Sequence, residues 1–399
     1  MNEKLKIEPA VVYERKGQYF PDEIMMTDYV INDNGLNSYV YPKKLKKVSK
    51  NLVDDKTDVW YEYVPDRLAD PRERAMMISL HGGLMEGWKQ AVSSSWIKIA
   101  DREGFIAVFP DAGTRKMWTI DYDRSIESEL TRPNDTGVYM NIAPTDISDN
   151  RDANMLLGLI DFMVEKYGIN RSKIYIHGMS MGDMMASMMV RYYGGRFAGA
   201  ALSGALASPA VLYDKKRKII NSGGYISVFQ THMELDDQFP GGTDSIDEMV
   251  EANRNYWIKL NQCRPIPRIS IMGDNNIAYY EGKKDYVYRE VKGRDHGQTL
   301  DEAELVWNNL FSTDCGHTEN CLRNGDSVSI AFSENCANAF VDGKIEKLSA
   351  NVICRNGYLH YDRTGSVRKR CLMAPAKDLC QIFHIDIREE DGSVIVLKL

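Results

Sequence analysis

One stretch limits the fold of this chain more than any other: Lys173-Ile-Tyr-Ile-His-Gly178-Met179-Ser180-Met181-Gly182, followed by Asp183-Met-Met-Ala-Ser-Met-Met-Val190. The apolar run up to Ile176 reads as a buried strand, and the methionine-rich continuation has the spacing of a helix. Only Gly178-Met-Ser-Met-Gly182 separates the two. A strand that turns so sharply into a helix strains the residue at the apex, and its close neighbours must lack side chains. Gly178 and Gly182 meet that condition. The helix that follows aims its first N–H groups and its positive end at the apex, where developing negative charge is stabilised. Ser180 is therefore the candidate nucleophile, and the N–H of Met181 a candidate oxyanion donor.

Around this turn, from about Val59 to Phe311, strand-like runs alternate with helical patterns as βαβ units do. Strand candidates are Val59–Val64, Met76–Leu80, Phe105–Phe109, Lys173–His177, Gly199–Ser203, Tyr225–Phe229 and Arg268–Met272, and Tyr286–Val291 is strand-like. Near-continuous apolarity in most of them predicts parallel strands covered on both faces. Asn154–Tyr167 and Asp301–Phe311 have helical spacing, the second with Thr299 as its N-cap. Ala198–Leu212 is interrupted by Ser203, Gly204, Ser208 and Pro209, so it reads as a buried strand and a loop rather than a membrane span. The polar stretch Thr114–Asn150 reads as a long surface excursion of the kind that frames binding sites.

After Cys321 the texture becomes short and β-rich: Ser327–Phe332, Ala339–Val341, Tyr358–Tyr361 and Ser393–Leu397, with turns at Asp342-Gly343, Asn356-Gly357 and Asp391-Gly392 and one helical piece, Ala376–Phe383. The expected organisation is an N-terminal extension or edge strands over 1–57, an α/β catalytic domain with a doubly wound, mostly parallel sheet over 58–322, and a small α+β accessory domain over 323–399.

A formal net charge of -7 removes the basic footprint that nucleic acid or an anionic membrane would require. Met1-Asn2-Glu3-Lys4-Leu5-Lys6 lacks the apolar core of a secretory signal, which points to the cytoplasm, with secretion after removal of a signal as the alternative. Six of the seven cysteines follow residue 314. That clustering would suit a disulfide framework, whereas the odd total suits a reduced compartment. Cys315-x5-Cys321 and Cys371-x8-Cys380 lack zinc-knuckle spacing, and neither a metal nor a cofactor is expected.

A serine hydroxyl attacks only once a base takes its proton. Where a Gly-x-Ser-x-Gly turn carries the nucleophile, the acid and then the histidine follow it along the chain. Of His232, His296, His317 and His384, only His296 lies in a turn after a strand and before the last helix, within Val291-Lys-Gly-Arg-Asp-His296-Gly-Gln. It is the candidate base. His317 and His384 read as structural, and His232 as a loop residue. Glu234, Asp236 and Asp237 follow a buried strand and are the candidate acids. Upstream, Met76–Leu80 runs into His81-Gly82-Gly83-Leu84, where the second oxyanion donor belongs. Gly83 and Leu84 qualify equally, and His81 reads as a support for the turn. Trp88, Trp118 and the 114–150 excursion would line an aromatic pocket if the tryptophans are not simply core.

Over roughly 58–311 the chain resembles the poly(3-hydroxybutyrate) depolymerase-like esterases, a group of α/β-hydrolases that includes feruloyl and acetylxylan esterases. Leu80-His81-Gly82-Gly83, Phe109-Pro110-Asp111-Ala112-Gly113, Ile174 to Gly182 and His296-Gly297 carry the likeness. It implies a cofactor-free serine esterase that acts, through an acyl-enzyme, on a small acyl, feruloyl or hydroxyacyl ester, free or linked to a polysaccharide. Such enzymes often carry H-G-x-x-D-x-x-V-P on the acid loop. His232-Met-Glu-Leu-Asp236-Asp-Gln-Phe-Pro240 matches it, with Met233 for Gly and Phe239 for Val, which implies Asp236 as the acid. Asp183 departs from the group, which commonly has a further glycine there. The tail Ser327–Leu399 is similar to a small domain found at the N-terminus of some copper amine oxidases and in bacterial surface proteins, through Ala339–Lys344, Asn356–Leu359, Met373–Leu379 and Asp391–Val396. That likeness implies an accessory module without copper chemistry. Two alternatives share the scaffold: a peptidase of the prolyl-oligopeptidase kind, and a non-catalytic carbohydrate-binding protein.

Overall fold

The computed structural model describes residues 42, 44–134, 137, 139–236, 245–272, 275–292, 294, 296–299 and 301–312, and, further on, 330–332, 334–341, 344–358, 367–382, 386–390 and 394–398. They fall in two compact units, one within Tyr39–Gly316 and one within His317–Leu399. Asp237, His317, His384, Cys315 and Cys321 lie outside the described residues.

The larger unit is built on a ten-stranded sheet. In chain order its strands are β1 (Lys46–Lys50), β2 (Asp58–Tyr63), β3 (Met76–Leu80), β4 (Ile106–Pro110), β5 (Ile174–Met179), β6 (Gly199–Ser203), β7 (Ser227–Met233), β8 (Arg268–Met272), β9 (Asn275–Tyr280) and β10 (Tyr286–Val291). Across the sheet the order is β1-β2-β4-β3-β5-β6-β7-β10-β9-β8. The run from β4 to β10 is parallel throughout. Antiparallel pairs close both edges. The expected parallel order therefore fails at Asp58–Tyr63 and Arg268–Met272. β2 is nearly all buried although antiparallel, so its apolarity reports burial and not strand direction. β1 falls in the 1–57 segment read as an extension or edge strands, whereas β9 was not expected as a strand. β1 shows solvent Lys46, Lys47 and Lys50, the composition that keeps a sheet edge from pairing with other chains.

Alternation along β5 divides the helices between two layers. Ile174 and Ile176 join the main apolar cluster with α3 (Arg151–Tyr167), α4 (Met181–Tyr193) and α5 (Ile246–Leu260). On the other face Tyr175 stacks on Phe311 at 4.4 Å, and His177 meets Trp96 of α2 (Trp96–Glu103) edge-on at 5.6 Å. α1 (Gly87–Ser93) lies between β3 and α2 along the chain. α3 begins earlier than its apolar spacing indicated, because Asn150 caps it by accepting from the N–H groups of Asp152 and Ala153. The last helix, α6 (Glu302–Val306), widens into a π-type turn over Trp307–Phe311. Its N-cap is Asp301 and not Thr299, whose hydroxyl instead accepts from Arg289. After β6, the segment expected as a loop ends in a short helix, Pro209–Leu212, with Pro209 at its first position. The 114–150 excursion is anchored rather than superficial: Met117, Trp118, Ile120, Leu130 and Ala143 are buried, and Thr119–Ile120 pairs with Asn141–Ile142. No helix among the described residues is long and apolar enough to cross a membrane.

Glu302 joins several of these elements inside the core. It is 3% exposed; its Oε2 accepts from Ser203 Oγ at 2.9 Å and Arg289 Nη1 at 3.4 Å, and its Oε1 lies 3.2 Å from His177 Nε2. Removing one partner of a buried charged set strands the others without solvent. Glu302→Ala is expected to cost about 3–5 kcal/mol, read as a lower urea midpoint at unchanged slope.

In the smaller unit β11 (Ile330–Phe332), β12 (Asn338–Val341) and β13 (Lys344–Lys347) form an antiparallel sheet. β14 (Ile353–Tyr358) pairs with β15 (Val367–Met373), and β16 (Asp386–Glu390) with β17 (Val394–Lys398), while α7 spans Ala376–Ile382. Asn356-Gly357, read as a turn, lies within β14 instead. The register shifts there between Arg355 and Gly357, so the glycine marks a bulge. Cys263, Cys336 and Cys380 are free thiols.

Candidate active site

The site lies beyond the carboxyl ends of the central parallel strands, each of which delivers one part of it. β5 ends at Met179 and α4 starts at Met181, leaving Ser180 between them at φ 56°, ψ −122°. A non-glycine residue in that region is held only by its surroundings, at a cost of about 1–3 kcal/mol. Here Ser180 N–H donates to Ser203 O at 2.8 Å, and Met184 N–H reaches back to Ser180 O at 3.2 Å. The glycine requirement is steric. A β-carbon on Gly178 would sit 2.0 Å from Gly182 O, and one on Gly182 would sit 2.3 Å from Leu80 O.

β7 and β10 are parallel neighbours, with Met233 opposite Val291. Their exit turns are tied together, since Glu234 N–H donates to Val291 O and Leu235 N–H to Arg294 O. The chain then turns at Asp236, whose N–H donates to Met233 O at 2.9 Å. This brings Asp236 Oδ2 to 2.8 Å from His296 Nδ1, and His296 Nε2 to 2.9 Å from Ser180 Oγ. Asp236 and His296 are buried, while Ser180 stays partly open. A carboxylate can only accept, so the imidazole proton belongs on Nδ1 and the Nε2 lone pair faces the serine hydroxyl. Glu234 is exposed and pairs with Lys292. His232 is on β7 rather than in a loop, and burial lowers its pKa.

The upstream turn separates the two oxyanion candidates. Leu84 has φ 63°, and its N–H is committed to Lys116 O at 2.9 Å. Of that pair, Gly83 is left as the candidate donor. Its missing side chain leaves room for Met181: a β-carbon there would lie 3.4 Å from Met181 Sδ and 3.1 Å from Met117 Sδ. The other candidate donor, Met181 N–H, heads α4, where helical N–H groups have no partner within the helix. His81 supports the turn, with Nδ1 donating to Gly82 O at 2.6 Å and Nε2 accepting from Ala112 N–H at 3.0 Å.

Trp118 is not a pocket residue. It is fully buried, and its indole donates to His81 O at 2.8 Å, so it supports the oxyanion turn from below. Trp88 is half-buried and donates to Glu86 Oε2 at 2.9 Å, which keeps it a candidate for substrate contact. Supporting carboxylates had not been singled out. Asp111 accepts from Gly87 N–H at 2.6 Å, and Asp152 accepts from Gly113 and Thr119 N–H; burial raises the pKa of both. For Asp111 the signal was an acidic residue after an apolar run, Phe109-Pro110-Asp111-Ala112, whereas Asp152, within Asn150-Arg151-Asp152-Ala153-Asn154, carries none.

A mainly parallel sheet of this order, with Ser180, Asp236 and His296 leaving its strand ends in that chain order, is the α/β-hydrolase fold. Residues 144–256 match the family model described as phospholipase/carboxylesterase. Among curated proteins, the chain is 29% identical over 39% of its length to a probable acetylxylan esterase A of Aspergillus clavatus, covering 45% of that protein. It is 31% identical over 36% of its length to feruloyl esterase B of Neurospora crassa, covering 43%. The chain thus spans less than half the length of these relatives. Similar solved structures include an acetyl xylan esterase from Aspergillus awamori (17% identity, TM-score 0.44, 63% of this chain and 93% of that one). A poly(3-hydroxybutyrate) depolymerase from Bordetella parapertussis is another (13% identity, TM-score 0.42, 66% and 89%).

Proposed function

We propose that this chain is a serine carboxylic-ester hydrolase that works through an acyl-enzyme on Ser180. The observation that carries the reading is the unbroken line Asp236 Oδ2, His296 Nδ1, His296 Nε2, Ser180 Oγ, with both contacts under 3 Å. As Ser180 Oγ attacks the ester carbonyl, His296 Nε2 takes its proton and Asp236 stabilises the resulting imidazolium. The carbonyl oxygen, now negative, accepts from the N–H groups of Gly83 and Met181. His296 returns the proton to the leaving alkoxide, and water repeats the sequence on the acyl-enzyme. The family match and the named activities of the curated relatives favour acetyl or feruloyl esters, including esters linked to a polysaccharide, and the motif resemblance alone adds hydroxyacyl esters.

The test sets chromogenic acetyl, feruloyl and hydroxyacyl esters beside peptide amides, for the wild type and Ser180→Ala together. Turnover of at least one ester class, with amides slower by about a hundredfold or more, is expected. Rapid amide cleavage without ester turnover would assign the site to a peptidase. Glycan binding without hydrolysis would assign the scaffold to a binding protein.

A further inference from the structure

Asp183 stands one helical position beyond the Gly178–Gly182 turn. It is 1% exposed, and its Oδ2 accepts from the N–H of Ala205 at 3.1 Å. That bond crosses from α4 to the turn after β6, whose end is already tied to the nucleophile by Ser180 N–H donating to Ser203 O. Between the two ties sits Gly204, at φ 68°. A β-carbon on Gly204 would lie 3.8 Å from His296 Cε1 and 3.1 Å from Gly297 O. The backbone at Gly204 therefore faces the Cε1 edge of the His296 ring across no more than the space a methyl group would fill, and Asp183 ties the next residue, Ala205, to the helix that starts after Ser180.

We propose that Asp183 is a positioning residue for His296: by holding Ala205 N–H it sets the seat of the imidazole, and so the distance from Nε2 to Ser180 Oγ. It works as a neutral hydrogen-bonding group and not as a second counter-charge. Burial, and then the carboxylates of Glu302 on α6 and Asp236 after β7, push its carboxyl well above the usual range, against the opposing Ala205 bond. A third carboxylate charge beside Glu302 and Asp236 would be costly, since Arg289 already pairs with Glu302. The inference rests on the serine-hydrolase reading, because it assigns Asp183 a task only if His296 is the base.

The experiment compares the wild type with Asp183→Asn, Asp183→Ala and Gly204→Ala on one ester, reading kcat, KM, the pH profile and Ser180 labelling by a fluorophosphonate. Asn keeps an acceptor oxygen for Ala205 without the charge. Asp183→Asn is expected to hold kcat within about threefold, with the pH profile unmoved. Asp183→Ala is expected to lose about 10- to 100-fold in kcat with KM within about twofold, since a misplaced base slows chemistry rather than binding. Gly204→Ala leaves Asp183 in place and pushes the seat directly, so it should reproduce the kcat loss even if Asp183→Ala folds poorly.

Stability provides a second readout. The raised carboxyl keeps its proton in the folded chain at pH values where the unfolded chain has lost it, so wild-type stability falls as pH rises above the ordinary carboxylate range. Asp183→Asn has no such loss, and its Tm advantage should grow with pH above about 4. An unchanged kcat in a folded Asp183→Ala would overturn the proposal, whatever Gly204→Ala does. So would an Asp183→Asn that matches Asp183→Ala and shifts the pH profile, because the charge would then be what matters. A wild type that neither cleaves esters nor takes the label would instead overturn the serine-hydrolase reading.

Discussion

Ser180→Ala is expected to lower kcat on a good ester by about four to six orders of magnitude while KM moves only a few-fold. The size follows from what remains. Without the hydroxyl, His296 has no attacking oxygen to deprotonate, and acylation becomes direct attack by water. The Gly83 and Met181 donors would still stabilise an oxyanion, and catalysis of that kind leaves about 10³–10⁴ over the uncatalysed rate. Binding should persist, because Ser180 Oγ is one small group at the mouth of the site. Folding should persist as well. The substitution removes the contact to His296 Nε2 but keeps the backbone bonds to Ser203 and Met184 that hold the strained apex. Single-turnover kinetics with a chromogenic ester, together with fluorophosphonate labelling, separate the outcomes. A burst of released alcohol and labelled protein are expected from the wild type only. A variant that retains wild-type kcat would remove Ser180 from the mechanism.

The parts of this site that could be read in the sequence are those controlled by local sterics or chain order. Gly178 and Gly182 announce a close approach that no side chain survives, and the flanking strand and helix periods place the turn. His296 is distinguished by where it falls, between a strand-like run and the last helix. Long-range bonds carry no such mark. Gly83 and Leu84 look equivalent until the carbonyl of Lys116, far along the chain, takes the Leu84 N–H. Trp118 reads equally as pocket or core, and only its bond to His81 O decides between them. The same applies to Glu302, whose partners Ser203 and His177 are about a hundred residues away in sequence. The apolar run at Asp58–Tyr63 shows that the strand is buried but not which way it points, so its antiparallel pairing was not legible. Asp183 was visible as a departure from related motifs, yet its partner at Ala205 was not, because a backbone N–H leaves no trace in composition.

Asp236→Asn should separate position from charge within the catalytic line, with kcat falling about 10³- to 10⁴-fold at neutral pH. Asparagine is nearly isosteric, and Asp236 is buried in a turn held by its own N–H, so the fold and the seat of His296 should survive. Two things are lost. An amide presents N–H₂ as readily as C=O to Nδ1, which permits the tautomer with its proton on Nε2, and that form cannot accept from Ser180. The imidazolium formed during attack also loses its buried counter-charge at Nδ1. The fall should appear in kcat and in the rate of fluorophosphonate labelling alike, since both need an activated hydroxyl, whereas KM should change little. Asp237→Asn is the control that makes the result specific, because the neighbouring carboxylate has equal charge and nearly equal place in the chain; it should retain kcat within about twofold. If Asp237→Asn loses activity and Asp236→Asn keeps it, the acid is the neighbour. If both keep it, His296 needs no carboxylate, and the line from Asp236 to Ser180 is not what drives the reaction.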